Sequence, residues 1–290
     1  MKLYQAFCYN PAVIIDFHTH IFSPKIKAER EPYLSDPCFA TLYSDRKARL
    51  ATAEDLIESM DKEGVDVSVA LNIDWTSHDL CVETNDYILE SVSRYPKRLV
   101  GFCAVQPTLT DKTAKEIERC AKAGAKGIGE LRPGVRALDP GKGEVIASFM
   151  ATMKKHRLIL LTHSSEPVGH LYKGKGVVTP DLLYSLITAA EGVPLVCAHW
   201  GGGLPFYALM PEMKQALNNV YFDSAASPYL YSPQIYNQVS RLVGADKILF
   251  GTDYPLLKPK RLLNEIDSLN LPLHEKELIL SGNARKLLGI

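Results

Sequence analysis

The sequence has no surplus of charge: 33 Lys and Arg are matched by 33 Asp and Glu among 290 residues. Nucleic-acid binders carry a basic excess to displace counterions from phosphates, and polybasic membrane-surface proteins need the same excess, so both classes are disfavoured. No apolar run approaches the ~18 residues needed to span a bilayer. The N-terminal MKLYQAFCYNPAV lacks the basic start and long apolar stretch of a secretory signal. Cysteine is sparse: six residues, at 8, 38, 81, 103, 120 and 197, form no C-x-x-C pair. That scarcity favours reduced, partly buried thiols over a disulfide frame and makes a cytoplasmic protein the expectation. Internal repeats, low-complexity tracts and linkers are also missing. Hydrophobic residues make up 46% and charged residues 23%, values that exclude disorder and leave a globular chain.

What is present alternates regularly. Short β-branched apolar runs occur at Val13–His18, Val67–Ile73, Leu99–Val105, Gly127–Leu131, Leu158–His163, Leu195–His199, Val220–Asp223 and Lys247–Asp253. Between them lie stretches with the 3.6-residue period, among them AEDLIESMDKEG, ETNDYILESVSRY, KTAKEIERCAKAG and EVIASFMATMKKH. Thr52 precedes two acids as a helix N-cap, and Gly64 and Gly124 sit where C-terminal glycines belong. Eight strands each followed by a helix predict a parallel sheet with right-handed crossovers. At that count the sheet closes, so the expected fold is α/β, a single (β/α)8 TIM barrel over residues 1–290; a doubly wound open sheet is the rival. The Pro- and charge-rich Phe22–Leu50 reads as a loop or lid inserted after the first strand.

Chemistry-bearing residues collect at strand ends. In DFHTH, His18 and His20 are two apart, so both side chains take the same face of a strand. His163 ends LILLTH, His199 ends PLVCAH, Glu130 ends KGIGE and Asp253 ends KILFGTD. In a barrel all six lie at the C-terminal rim, where catalytic residues collect. Singly, each has a plainer role. A strand-end histidine can simply be hydrogen-bonded, Asp253 can close a turn before Tyr254 and Pro255, and Glu130 can pair with Arg132. Together they are costly to bury unless they are paired or hold a metal. Imidazoles and carboxylates without thiolates suit Zn(II), with Mn(II), Fe(II) or Co(II) as alternatives. Cys197 shares the His199 face but lies deeper, as a core residue.

This ordered set resembles the amidohydrolase superfamily of metal-dependent barrels. AHWGGG, GTDYP and the closing GNARKLLG resemble its amidohydrolase-related branch, which includes aminocarboxymuconate-semialdehyde decarboxylase and aromatic-acid decarboxylases beside many hydrolases. The resemblance spans Ile14 to Ile290. It implies His18, His20, His163 and Asp253 as metal ligands, and His199 as a second-metal ligand or a polarising group. Many members bridge two metals with a carboxylated lysine on strand four. Here Glu130 stands at that strand end, as in TatD-like hydrolases, whereas Lys126 lies near the strand's start. The resemblance therefore implies one or two ions per chain.

The first functional expectation is a metal-dependent hydrolase of a small amide, ester or lactone. The metal would lower the pKa of a bound water, Asp253 would serve as general base then acid, and His199 would polarise the carbonyl. The alternative is a non-oxidative decarboxylase of an aromatic or muconate-type acid, with Asp253 or His199 protonating the carbon that loses CO2. The third is a barrel that binds metal or ligand without catalysis. Arg132 and Arg136 offer guanidinium forks for a carboxylate, Arg132 being nearer the rim. His170, in the loop SSEPVGHLYKGKG with Glu166, Tyr172, Lys173 and Lys175, is a candidate pocket residue. The lysines and glycines there do not make a phosphate loop, because no G-x-x-x-x-G-K-[ST] is present. Trp75 and Trp200 follow strands two and six, where an aromatic can wall a pocket or pack in the core. Asp223 ends strand seven and is read first as an N-cap, second as support for substrate or a histidine. The expected partner is a small-molecule substrate, with no nucleic acid and no membrane; a homo-oligomer is compatible with such a barrel.

Overall fold

The structure, a computed structural model, describes residues 13–108, 110–132, 143–190 and 192–290; Cys8 and Arg136 lie outside them. Eight parallel strands follow one another around a single sheet in chain order. They are β1 (Ile15–His20), β2 (Val67–Leu71), β3 (Leu99–Cys103), β4 (Gly127–Leu131), β5 (Ile159–Thr162), β6 (Leu195–Cys197), β7 (Val220–Asp223) and β8 (Ile248–Leu249). Backbone bonds bring the last strand back to the first: Phe17 N–H to Phe250 O at 2.7 Å, and Asp253 N–H to His18 O at 2.9 Å. This is the expected (β/α)8 barrel. The expected eighth strand, Lys247–Asp253, is much shorter. The chain leaves extended geometry before Asp253, whose φ is 65°.

Local sequence explains the helices. Thr52 and Asp55 form a reciprocal capping box at the start of Ala53–Glu63, and Gly64 ends that helix with φ 75°. Alternate strand positions fill the barrel. Ile15, Phe17, Val69, Leu71, Phe102, Ile159, Leu161, Val196 and Leu249 form one buried cluster, joined by Ala284 and Leu288 of the C-terminal helix Asn283–Leu288. The outward positions, such as Ile128, Leu160, Leu195 and Phe222, pack instead with the surrounding helices. No helix of the described residues is long and apolar enough to cross a membrane.

Two irregularities decide what faces the interior. Along β1, Asp16 pairs with Ser68 but Thr19 pairs with Ala70, so three residues oppose two. A regular alternation that buries Ile15 and Phe17 inside would turn His18 and His20 outward; the bulge resets the parity. Along β4, Ile128 pairs with Leu160 and Leu131 with Thr162, again three against two. Both Ile128 and Leu131 pack outward, and the shift frees Glu130, between them, to turn into the barrel.

The segment expected as an open loop or lid, Phe22–Leu50, is a folded insertion. It contains the helices Pro24–Ala28 and Pro37–Tyr43 and the 3-10 turn Glu31–Ser35. Phe22, Ile26, Tyr33, Phe39, Tyr43 and Leu50 build a small core of their own against Trp75. Proline at the first turn of each helix and Asp36 capping Cys38 and Phe39 give it local order that its composition disguises.

Candidate metal centre and substrate cavity

The C-terminal rim gathers five of the six expected donors at close range. His18 Nε2 lies 3.1 Å from His20 Nε2. Asp253 Oδ1 lies 3.3 Å from His20 Nε2 and 3.6 Å from His18 Nε2. Glu130 Oε1 lies 3.3 Å from His199 Nε2, while its Oε2 lies 3.6 Å from His20 Nε2 and 3.9 Å from His18 Nε2. Two overlapping triads can each hold an ion: His18, Glu130 and His199, and His18, His20 and Asp253. His163 stands outside both. Its Nδ1 meets Glu130 Oε1 at 2.8 Å and its Nε2 meets the Lys175 carbonyl at 3.2 Å. Glu130 is therefore paired with His163 and His199 rather than with Arg132.

Supporting groups set how the histidines present themselves. Asp223 Oδ2 accepts the Nδ1–H of His18 at 2.8 Å, and its Oδ1 accepts the backbone N–H of His199 at 3.0 Å. Asp223 thus orients two rim histidines; the N-cap of the following helix is Ala226 instead. The Ala225 carbonyl accepts the Nδ1–H of His199 at 3.0 Å. With both Nδ1 protons directed outward, the Nε2 lone pairs of His18 and His199 point at carboxylate oxygens. His20 Nδ1 is buried with no hydrogen-bond partner among the described residues. Glycines make room for this. A Cβ on Gly251 would lie 2.9 Å from His18 Cβ. Gly202, at φ +57°, passes so close to Ser165 that a Cβ would sit 2.3 Å from its carbonyl oxygen.

Acceptors facing acceptors at such distances repel unless a positive charge sits among them. Protons are one solution. Burial disfavours charge on His18, but Asp223, Glu130 and Asp253 outweigh it and push its pKa up to about 10. Burial likewise opposes charge on His199, and Glu130 and Asp253 push it up to about 9. Glu130 is held well below the ordinary range because His163, His199 and His18 overcome its burial. Asp253 is similarly held to about 2 by His20, His18 and His199 against its burial. A divalent cation is the other solution, and the donors fit it: imidazole nitrogens and carboxylate oxygens with no thiolate.

Beside the cluster opens a cavity of about 390 Å³. His20, Glu130, His163, His199 and Asp253 form its inner end; Arg132, Arg49, Lys173 and His170 bring basic groups to it. Leu42, Tyr43, Tyr172, Tyr229, Leu230 and Leu256 make its walls. Arg132 and His170 thus line the cavity. Trp75 and Trp200 do not. Trp75 is fully buried, stacks on Phe39 with centroids 5.2 Å apart and donates its Nε1–H to Asn72 at 2.8 Å. Trp200 is also fully buried, packs edge-on to Tyr236 and donates to Ser227 at 2.9 Å. Each turns its ring into the core because the indole N–H finds a partner there. Tyr43, Arg49 and Tyr229 carried no motif in the sequence, and Asp16, although it opens DFHTH, carried no signal of a role there. Asp16, buried beside the H-x-H pair, accepts the Thr252 hydroxyl at 2.6 Å and so ties β1 to the segment that carries Asp253.

The amidohydrolase family profile matches residues 15–290. The chain belongs to the amidohydrolase family. Among its relatives, this amidohydrolase is 24% identical over 277 residues to a 2-amino-3-carboxymuconate-6-semialdehyde decarboxylase of Dictyostelium discoideum, covering 81% of this chain and 76% of that one. It is 20% identical over 297 residues to a gamma-resorcylate decarboxylase of a Polaromonas species, covering 84% and 90%. Its fold superposes with a TM-score of 0.78 on a 5-carboxyvanillate decarboxylase of Novosphingobium aromaticivorans, at 18% identity and 97% coverage of each chain. That structure holds manganese and 4-hydroxy-3-methoxy-5-nitrobenzoic acid.

Proposed function

We propose that this amidohydrolase is a metal-dependent, non-oxidative decarboxylase of an aromatic or muconate-type acid. One observation carries the reading: the curated relatives that align with more than four-fifths of the chain are both named as decarboxylases. The sequence favoured hydrolysis because Glu130 stands at the end of β4; the relatives reverse that order. The cavity agrees with an acid substrate, since Arg132 shares it with tyrosine walls suited to a flat ring.

His18, His20 and Asp253, with Glu130 and His199 beside them, would hold the ion. When bound, it supplies a Lewis-acidic anchor for an anionic substrate oxygen. Zinc suits the donor set, and the manganese in the Novosphingobium enzyme supports manganese equally. Arg132 binds the carboxylate and aligns it, while Tyr172 and the aliphatic wall hold the ring and exclude water. As the carbon–carboxylate bond breaks, its electron pair stays on the carbon that bore the carboxylate. His199, which carries a proton at neutral pH, or Asp253 after first accepting one from a substrate hydroxyl, delivers a proton to that carbon, and CO2 departs. The test is CO2 release from a panel of hydroxybenzoates and carboxymuconates by the protein loaded with manganese or zinc. Release that stops on chelation supports the proposal, and a panel without release overturns it.

Hydrolysis remains the second reading because Glu130 faces both triads. A carboxylate so placed can join two ions, the arrangement a two-metal hydrolase needs. Metal content decides it: two ions per chain, falling to one in Glu130→Ala, favour the hydrolase.

A further inference from the structure

Three tyrosines line the cavity, and they are not equivalent. The Tyr172 hydroxyl is committed to Glu166 Oε2 at 3.0 Å. Tyr229 is half exposed at the rim, where its ring meets the Arg261 guanidinium at 5.0 Å. Tyr43 is buried. Its ring is held edge-on to Phe22, with centroids 5.1 Å apart, and tilted against Phe39 at 5.0 Å. The aromatic cluster of the insertion therefore fixes the ring from behind and leaves the polar edge to the cavity.

Asp253, Glu130 and Arg132 line the same cavity, and with Cys38 they act electrostatically on the phenol. Among the described residues the Tyr43 carbonyl is engaged by Arg30, whereas no hydrogen bond engages its hydroxyl. An unengaged hydroxyl on a rigidly packed ring that lines a ligand cavity is set to meet a ligand acceptor.

We propose that Tyr43 is a substrate-contacting residue whose hydroxyl donates a hydrogen bond to an anionic oxygen of the bound aromatic acid. The class of ligand rests on the decarboxylase reading; the donor role rests on the cavity itself. The insertion after β1 then acts as part of the substrate site, supplying one directed donor beside the basic groups. Selectivity follows: acids bearing an oxygen within reach of this donor bind more tightly than acids with hydrogen there.

The test is Tyr43→Phe, which keeps the ring and its contacts with Phe22 and Phe39. In the metal-loaded protein, kcat/KM for the best acid falls about 10- to 100-fold, the loss of one hydrogen bond to a charged group. Salicylate affinity, measured by calorimetry, falls by a similar factor, while metal content and thermal midpoint stay at parental values. A variant that binds salicylate and turns over as the parent does overturns the proposal, as does one that loses thermal stability with unchanged affinity. If the parent releases CO2 from no acid, the decarboxylase reading fails separately, and salicylate affinity still decides: weaker binding in Tyr43→Phe upholds the donor role. Equal binding, or a parent that does not bind millimolar salicylate, refutes it.

Discussion

The two ends of the barrel interior are built from the same eight strands and opposite chemistry. Toward the strand N-termini, Ile15, Phe17, Val69, Phe102, Leu161 and Leu249 interlock beneath the C-terminal helix. Toward the C-termini, His18, His20, Glu130, His199 and Asp253 crowd lone pairs against one another. The lower end gains from excluding water, whereas the upper end is stable only when a cation or protons share it. On β1 the two meet within two adjacent residues, Phe17 and His18, and the bulge lets both face inward. Stability and chemistry are therefore separable in principle, although the chain has only one residue of separation.

That division can be broken from either side. The largest effect is expected at the polar end. Asp253→Asn lowers turnover by about 10²–10⁴-fold, the range for losing an acid–base group, while the thermal midpoint changes little. Phe17→Ala does the reverse. It costs about 3–5 kcal/mol in urea unfolding, as a buried Phe-to-Ala truncation does, yet the folded fraction keeps its metal. An intact unfolding curve in Phe17→Ala, or a collapsed one in Asp253→Asn, contradicts the separation.

Smaller effects sharpen the boundary. Asp223→Asn leaves the barrel folded and weakens metal affinity about 10–100-fold, because His18 loses the carboxylate that fixes its ring. Competition with a chromophoric chelator measures this. The smallest effect lies away from the rim. Burial tends to raise the Glu116 pKa, but its bonds to Arg119 and Asn85 outweigh that and hold it below the ordinary value of 4.5. A carboxyl lowered on folding contributes stability above its unfolded pKa and loses it as pH falls through the folded value. Unfolding titrations below pH 4.5 should therefore show a shallower acid loss in Glu116→Gln than in the parent, with activity at neutral pH unchanged.

Much of this architecture is legible in the sequence, since strand runs, helix caps and the order of rim residues are local signals. The capping box at Thr52 and the H-x-H at His18 are read from a few neighbours. What is hidden depends on distant partners. Period-two reasoning places His18 and His20 together but cannot place Ile15 and Phe17 on the same interior, because a bulge is a property of the pairing with β2. Glu130 is visible as a strand-end acid, yet its turn inward depends on the shift against β5. Trp75 and Trp200 mislead because an indole beside a strand end can wall a cavity or cap a core. The choice fell to Asn72 and Ser227, each ready to accept its N–H. Tyr43 gave no signal at all, since its role comes from a helical insertion folding over the rim.

The most direct test of the central claim is isotopic. The metal-loaded protein is allowed to turn over its acid in water enriched in both deuterium and oxygen-18, and the product is analysed by mass spectrometry. Decarboxylation places one deuteron on the carbon that lost CO2 and no oxygen-18 in the organic product. Oxygen-18 in the product with the carboxylate retained would show that this rim activates water for hydrolysis, and would contradict the account.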